Sequence, residues 1–208
     1  MVVFAQEPRE VAVRRGGKMK IWCQSSAAFG KGALWDAYER SLKRHVQEVA
    51  RPGTLVELHG TDFTIAGIDR YRAAAHFSEQ HAVRNAIIAE EQGFDAYVMI
   101  STIDAGFYET REMVDIPVVF CIESGLHLAC LLAPKFAFFA HNELLLHRLT
   151  GMAQQYGLSQ HMVPGGHLNI SYNTFPDMFE HPSRHIDSVV SAAREVVARG
   201  ANILFPAA

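Results

Sequence analysis

Short apolar runs alternate with longer amphipathic ones along the whole chain. Residues 20–23 read as a strand, followed by the small polar turn QSSAAFGKG. From 33 to 49, Leu34, Ala37, Leu42 and Val46 recur on one face of a helix that Pro52-Gly53 stops. A second strand is expected at 55–58. A polar loop (HGTDFTIAGIDRYR) follows, then a helix over 74–92 closed by Gly93. Residues 96–100 form an apolar third strand. A fourth is expected over 116–122, with Pro117 near its start, where a strand tolerates it. A helix then runs from Glu123 to just before Pro134. Later come a strand at 135–140, a helix over 141–156, a weaker strand at 161–163 or 168–170, a helix over 186–199 and a last strand at 203–205.

Strands alternating with helices predict α/β architecture with parallel sheet, and strands apolar throughout fit a sheet covered on both faces. An internal echo sharpens this: KIWCQSS before a helix resembles KFAFFAHNE before a helix, and DAYVMIST resembles ANILFPAA. The reading is two pseudo-symmetric parallel-sheet lobes, 19–116 and 117–208, after a mobile leader over 1–18, with the site in the cleft between lobes. The final helix and strand are free to cross back to the first lobe. Ligands of such sheets sit beyond the carboxyl ends of strands. That singles out Cys23, Gln24, Ser25 and Ser26, then Ser101, Thr102, Ile103 and Asp104, then Glu123 and Ser124, then His141 and Asn142, and finally Ala207 and Ala208.

Composition narrows the function classes. The 208 residues are 49% hydrophobic with a formal charge of -3, which argues against nucleic acid, and no apolar run is long enough for a membrane span. Residues 1–18 place their charge after their apolar part, unlike a secretory signal. Cys23, Cys121 and Cys130 form neither an even set nor a metal spacing, which suits a reduced cytoplasmic protein. Histidines are scattered, so no metal is expected.

The stretch GFDAYVMISTIDAGFYETREMVDIPVVFCIESGLHLA resembles the aspartate/glutamate/hydantoin racemase superfamily at Asp95, Asp104, Gly106, Arg111, Glu112, Asp115, Pro117, Glu123, His127 and Leu128. The resemblance implies a two-lobed, cofactor-independent enzyme that commonly assembles as a homo-oligomer. It also implies that two cysteines face the substrate carbon from opposite sides, one taking a proton and one giving it. This chain departs at both places: Ser101 stands at the first cysteine position, and Ala208, or Ala207 with a one-residue shift, at the second. Alanine carries no proton, and serine is no base without another to activate it. Two-thiol racemisation is therefore not expected.

The candidate catalytic groups are Ser101 and Thr102, together with Glu123 and His127, an i, i+4 pair able to share a helix face. If Ser101 is a nucleophile, His127 or His141 must approach it. Cys23, Gln24, Ser25, Ser26, Asp104, Cys121, His141, Asn142, Ala207 and Ala208 are candidate binding groups. Each has a plainer reading: Asp104 as the cap of the short helix after it, Cys121 as a buried inert thiol, the loop charges over 61–72 (Asp69 among them) as solvated. Tyr172 and Asn173 fall in a stretch read as a cleft-covering loop. The expected function is an isomerase-, lyase- or hydrolase-type enzyme acting on a small carboxylate or cyclic amide or imide. The alternative is a non-catalytic small-anion binder.

Overall fold

A computed structural model describes residues 18–31, 35–170 and 174–207. The expected leader, Ala208, Tyr172, Asn173 and the first residues of the helix expected at 33 lie outside or largely outside these. In the first half, β1 (Lys20–Gln24) is the centre of a parallel sheet ordered β2-β1-β3-β4. Its partners are β2 (Leu55–His59), β3 (Ala96–Met99) and β4 (Val118–Phe120). The connecting helices are α1 (Asp36–Val49), α2 (Arg72–Glu91) and α3 (Phe107–Met113). The second sheet is also parallel, ordered β6-β5-β7, with β5 (Phe136–Ala140), β6 (Gly166–His167) and β7 (Ile203–Ala207). Around it lie α4 (Cys121–Leu132), α5 (Glu143–Gln155) and α7 (Ile186–Ala198), while α6 (Phe175–Glu180) packs on α1.

One expected boundary moves. The first sheet extends through Phe120, because Tyr97–Met99 pair with Val118–Phe120, so the division falls after β4 and not at 116. The last strand does not cross back: β7 pairs with β5 from Phe136↔Ile203 to Ala140↔Ala207. The sixth strand sits between the two stretches expected for it. A β-carbon on Gly165 would lie 2.5 Å from the Phe138 carbonyl oxygen, so only glycine lets the chain approach β5 closely enough to pair there. The stretch read as a loop contains α6, a short helix with Pro in its first turn, a position that proline tolerates.

The two sheets share one core. Tyr97, Met99 and Phe120 from the first half pack in the same buried cluster as Ile122, Leu126, Phe136, Phe138, Leu145 and Leu149 from the second. β5 reads FAFFA and is buried at every position. Its other face meets Val196 and Ala201, beside α7. Burial on this scale, at about 25 cal/mol per Å² of apolar surface, holds the strand ends of both sheets in one place.

Candidate active site

A cavity of about 220 Å³ lies where the strand ends meet. The turn after β1 contributes Ser25, Ser26 and Ala27, and the turn after β3 contributes Ser101, Thr102 and Ile103. The second sheet supplies His141 from the end of β5 and Pro206 from β7. Trp35 and Tyr38 enter from the start of α1, Phe179 from α6, and Ile68 and Asp69 from the loop before α2. Ser25, Ser26, Ser101, Thr102 and His141 therefore come together, as candidates at the carboxyl ends of parallel strands should.

The central polar feature joins the lobes. His141 Nε2 lies 2.7 Å from Asp69 Oδ2, and the Asn142 side-chain amide donates to the same oxygen at 2.6 Å. His141 is 2% exposed and Asp69 6%. An ionised carboxylate only accepts, so the assigned tautomer carries its proton on Nε2. Burial pushes the Asp69 carboxyl up, but the hydrogen bond and charge of His141 and the bond from Asn142 outweigh it and hold the group below its ordinary range. Asn142 does not line the cavity. Its Oδ1 caps α5 by accepting from Leu145 N at 2.8 Å, and its amide positions Asp69.

The hydroxyl wall is partly engaged in its own turns. Ser101 Oγ accepts from Ile103 N at 3.4 Å, a long contact, while the side chain faces the cavity. Ser25 Oγ accepts from Ala27 N at 3.1 Å, and Ser26 Oγ shares a hydrogen bond with Ser78 at 2.9 Å. Tyr38 also bonds Ser25. Burial pushes its phenol up to about 12, with the Ser25 bond opposing, so it is a neutral O–H donor at physiological pH.

Several expected site residues are elsewhere. Gln24 is spent internally: its Oε1 accepts from Trp22 Nε1 at 3.0 Å and Asn85 Nδ2 at 2.9 Å, and its amide donates to the Ser25 carbonyl at 2.8 Å. Cys23 is buried, and burial followed by neighbouring Cys121 pushes its thiol up to about 12. Burial, then Asp104, raises Cys121 to about 11. Neither lines the cavity, and neither is a thiolate near neutral pH.

Asp104 is a cap, but of α4 and not of α3. Its two oxygens accept from Ile122 N and Glu123 N, each at 2.9 Å, and Oδ2 also accepts from Tyr156 at 2.8 Å. This is why α4 begins at Cys121, two residues earlier than expected. Glu123 is bound by Arg111 through contacts of 2.5 and 3.3 Å, tying α4 to α3, and His127 is exposed on α4. Neither reaches the cavity, so the i, i+4 pair is not an acid/base unit acting there. Ala207 is buried in β7 opposite Ala140, and its neighbour Pro206 lines the site instead.

Asp69, Tyr38, Trp35 and Phe179 are cavity-lining positions that the sequence reading does not single out. Asp69 was visible only as one charge in a polar loop. The signal for Tyr38 was its place on the face of α1 that turns inward beside Ala37.

A family model described as Asp/Glu/Hydantoin racemase matches residues 36–205. A hydantoin racemase from Pseudomonas sp. (strain NS671) is 25% identical over 127 residues, covering 61% of this chain and 51% of that protein. The chain thus spans about half the length of the curated relative it matches. Among solved structures, the allantoin racemase from Klebsiella pneumoniae superposes with a TM-score of 0.75 over 91% of this chain and 74% of that one, at 18% identity. An allantoin racemase from Pseudomonas fluorescens gives 0.73 over 91% and 76%, at 17% identity. At such identities the superpositions establish a common fold.

Proposed function

The chain belongs to the Asp/Glu/hydantoin racemase family, and from that premise we propose that it is a cofactor-independent enzyme acting on a small, neutral cyclic amide or imide, with His141 as its proton carrier. One observation carries this reading. The cavity pairs a buried His141–Asp69 unit with a wall of hydroxyls, and among the described residues no lysine or arginine lines it. A carboxylate ligand would be placed near Asp69, whose neighbouring cation, Arg70 at 3.6 Å, is already paired with it and lies outside the lining, and a small cavity penalises that. A neutral ring with amide N–H and C=O groups meets no such penalty, and its apolar faces suit Trp35, Ile68, Leu145 and Phe179.

The chemistry is abstraction of an acidic C–H proton next to a carbonyl. Asp69 keeps the Nε2 proton in place, so Nδ1 is the basic ring nitrogen, and the imidazolium formed on abstraction is stabilised by the Asp69 charge. Negative charge then develops on the substrate carbonyl oxygen, where the Ser101 and Thr102 hydroxyls supply donors. Return of a proton by His141 to the same face, after the imidazolium has exchanged with water, gives solvent exchange; donation of the Tyr38 proton to the opposite face gives inversion, and the proton on His141 then passes through solvent to the Tyr38 phenolate. Ser101 is a positioning and donor group in this scheme, because it makes no hydrogen bond to His141.

Three reduced cysteines support a reducing compartment such as the cytoplasm. Leu128, Leu131 and Leu132, exposed together on α4, support assembly as a homo-oligomer.

The test is a panel of hydantoins, ureides, malonates, maleate and amino acids followed by NMR in deuterated water. Deuterium incorporation or loss of optical rotation with a cyclic amide alone meets the proposal. Turnover only of carboxylates overturns the substrate class, and thermal stabilisation by ligands with no chemistry identifies a non-catalytic binder.

A further inference from the structure

A second cavity, of about 310 Å³, opens between α2, α3 and α5 and shares only Ile103 with the first. Its wall holds Arg148, half-buried on α5, and Arg72, at the first position of α2. Among the described residues, neither guanidinium has a hydrogen-bond or ion-pair partner. The nearby carboxylates are otherwise placed. All three line the same cavity: Glu79 contacts His76 at 3.1 Å, Asp104 is occupied by the α4 amides and Tyr156, and Glu109 is an exposed residue in the first turn of α3.

A half-buried arginine is ordinarily paired, because its five N–H groups lose water without compensation otherwise. Here burial, and then the positive charge of Arg72, push the Arg148 guanidinium below its ordinary value, with Glu79 opposing. The group remains charged at any physiological pH. The half-buried Arg148 and the exposed Arg72 share this wall with Glu79, which offsets part of their repulsion, and an oxyanion bound between the two guanidinium groups offsets the rest. Tyr108 and Gln155, also in the wall, add neutral donors.

We propose that this cavity is a second ligand site, which binds a small oxyanion group, a carboxylate or a phosphate, through the planar forks of Arg148 and Arg72. The fork geometry matches two oxygens of either group. The site is separate from the His141 cavity, and its occupant is distinct from the neutral molecule proposed there.

The experiment is isothermal titration of the full chain with inorganic phosphate in one arm and succinate in the other, against chloride at equal ionic strength. Saturable binding in at least one arm is expected, and the arm that binds identifies the oxyanion. Arg148→Gln should weaken it about tenfold or more, as loss of a charge-assisted hydrogen bond does, and Arg148→Lys, which keeps the charge without the fork, should also weaken it. Without ligand, Arg148→Gln should melt no lower than the parent protein, since it removes a like-charge pair; this separates lost binding from lost folding. Arg40→Gln, on α1 and away from the cavity, should bind like the parent. His141→Gln should too, which keeps the outcome independent of the proposed chemistry. No saturable binding in either arm, binding indifferent to both Arg148→Gln and Arg72→Gln, or equal loss in Arg40→Gln would overturn the proposal.

Discussion

Asp104 offers the sharpest test of how the turn after β3 is built. Its carboxylate terminates α4 by accepting two backbone N–H groups at 2.9 Å and the Tyr156 hydroxyl at 2.8 Å. α4 packs on strands of both sheets, so this one side chain links the first lobe's turn to the interlobe core. Asp104→Ala leaves three donors without their acceptor. The Ile122 N–H is buried and costs about 1–3 kcal/mol when orphaned, while Glu123 N and Tyr156 are partly buried and cost less because water can reach them. Loss of a helix cap alone costs about 1 kcal/mol. The offset is relief of a carboxylate whose burial, opposed by its hydrogen bonds, leaves its pKa raised. The net expectation is a loss of about 2–4 kcal/mol. For a chain of this size that is a fall of about 5–15 °C in Tm. Urea unfolding followed by circular dichroism, with unchanged m-value, reads the loss directly. A change below about 0.5 kcal/mol, the ordinary range for a surface substitution, would show that Asp104 is not the cap and would remove the explanation for where α4 begins.

The Asp69 carboxyl is held below its ordinary value in the folded state, so it contributes stability that is present above the unfolded pKa and is lost as pH falls through the folded one. Stability of the parent should therefore drop below about pH 4 more steeply than that of Asp69→Asn; parallel acid limbs for the two would contradict the assignment. Gly165→Ala should destabilise by about 1–3 kcal/mol, because the new β-carbon would press on the Phe138 carbonyl oxygen 2.5 Å away. Gly151→Ala, inside α5 with nothing within 4 Å of the added carbon, should stabilise by about 0.5–1 kcal/mol; thermal melts of the two variants moving the same way would refute the packing argument.

Much of the architecture is legible in the chain because periodicity and breakers act locally. The buried run at β3 and the Gly93 stop before it needed no tertiary information, and Ser25, Ser26, Ser101 and Thr102 reach the cavity because strand ends converge in any sheet of this kind. What was hidden depends on distant partners. Asp69 lies 72 positions from His141 in sequence, so nothing local distinguishes it from the solvated charges around it. Gln24 looked like a binding group until Trp22 and Asn85 were seen to consume its amide. The spacing of Glu123 and His127 fixes a shared helix face but not its direction, and Arg111 draws the first of them outward. The start of α4 was misplaced because its cap is 18 residues upstream.

The most direct measurement is the rate at which solvent deuterium enters the reacting carbon of a cyclic amide substrate, compared between the parent and His141→Gln. A fall of about a hundredfold or more, with substrate affinity little changed and Ser101→Ala losing much less, is what a His141 proton carrier requires. Exchange that survives His141→Gln while vanishing in Ser101→Ala would contradict it.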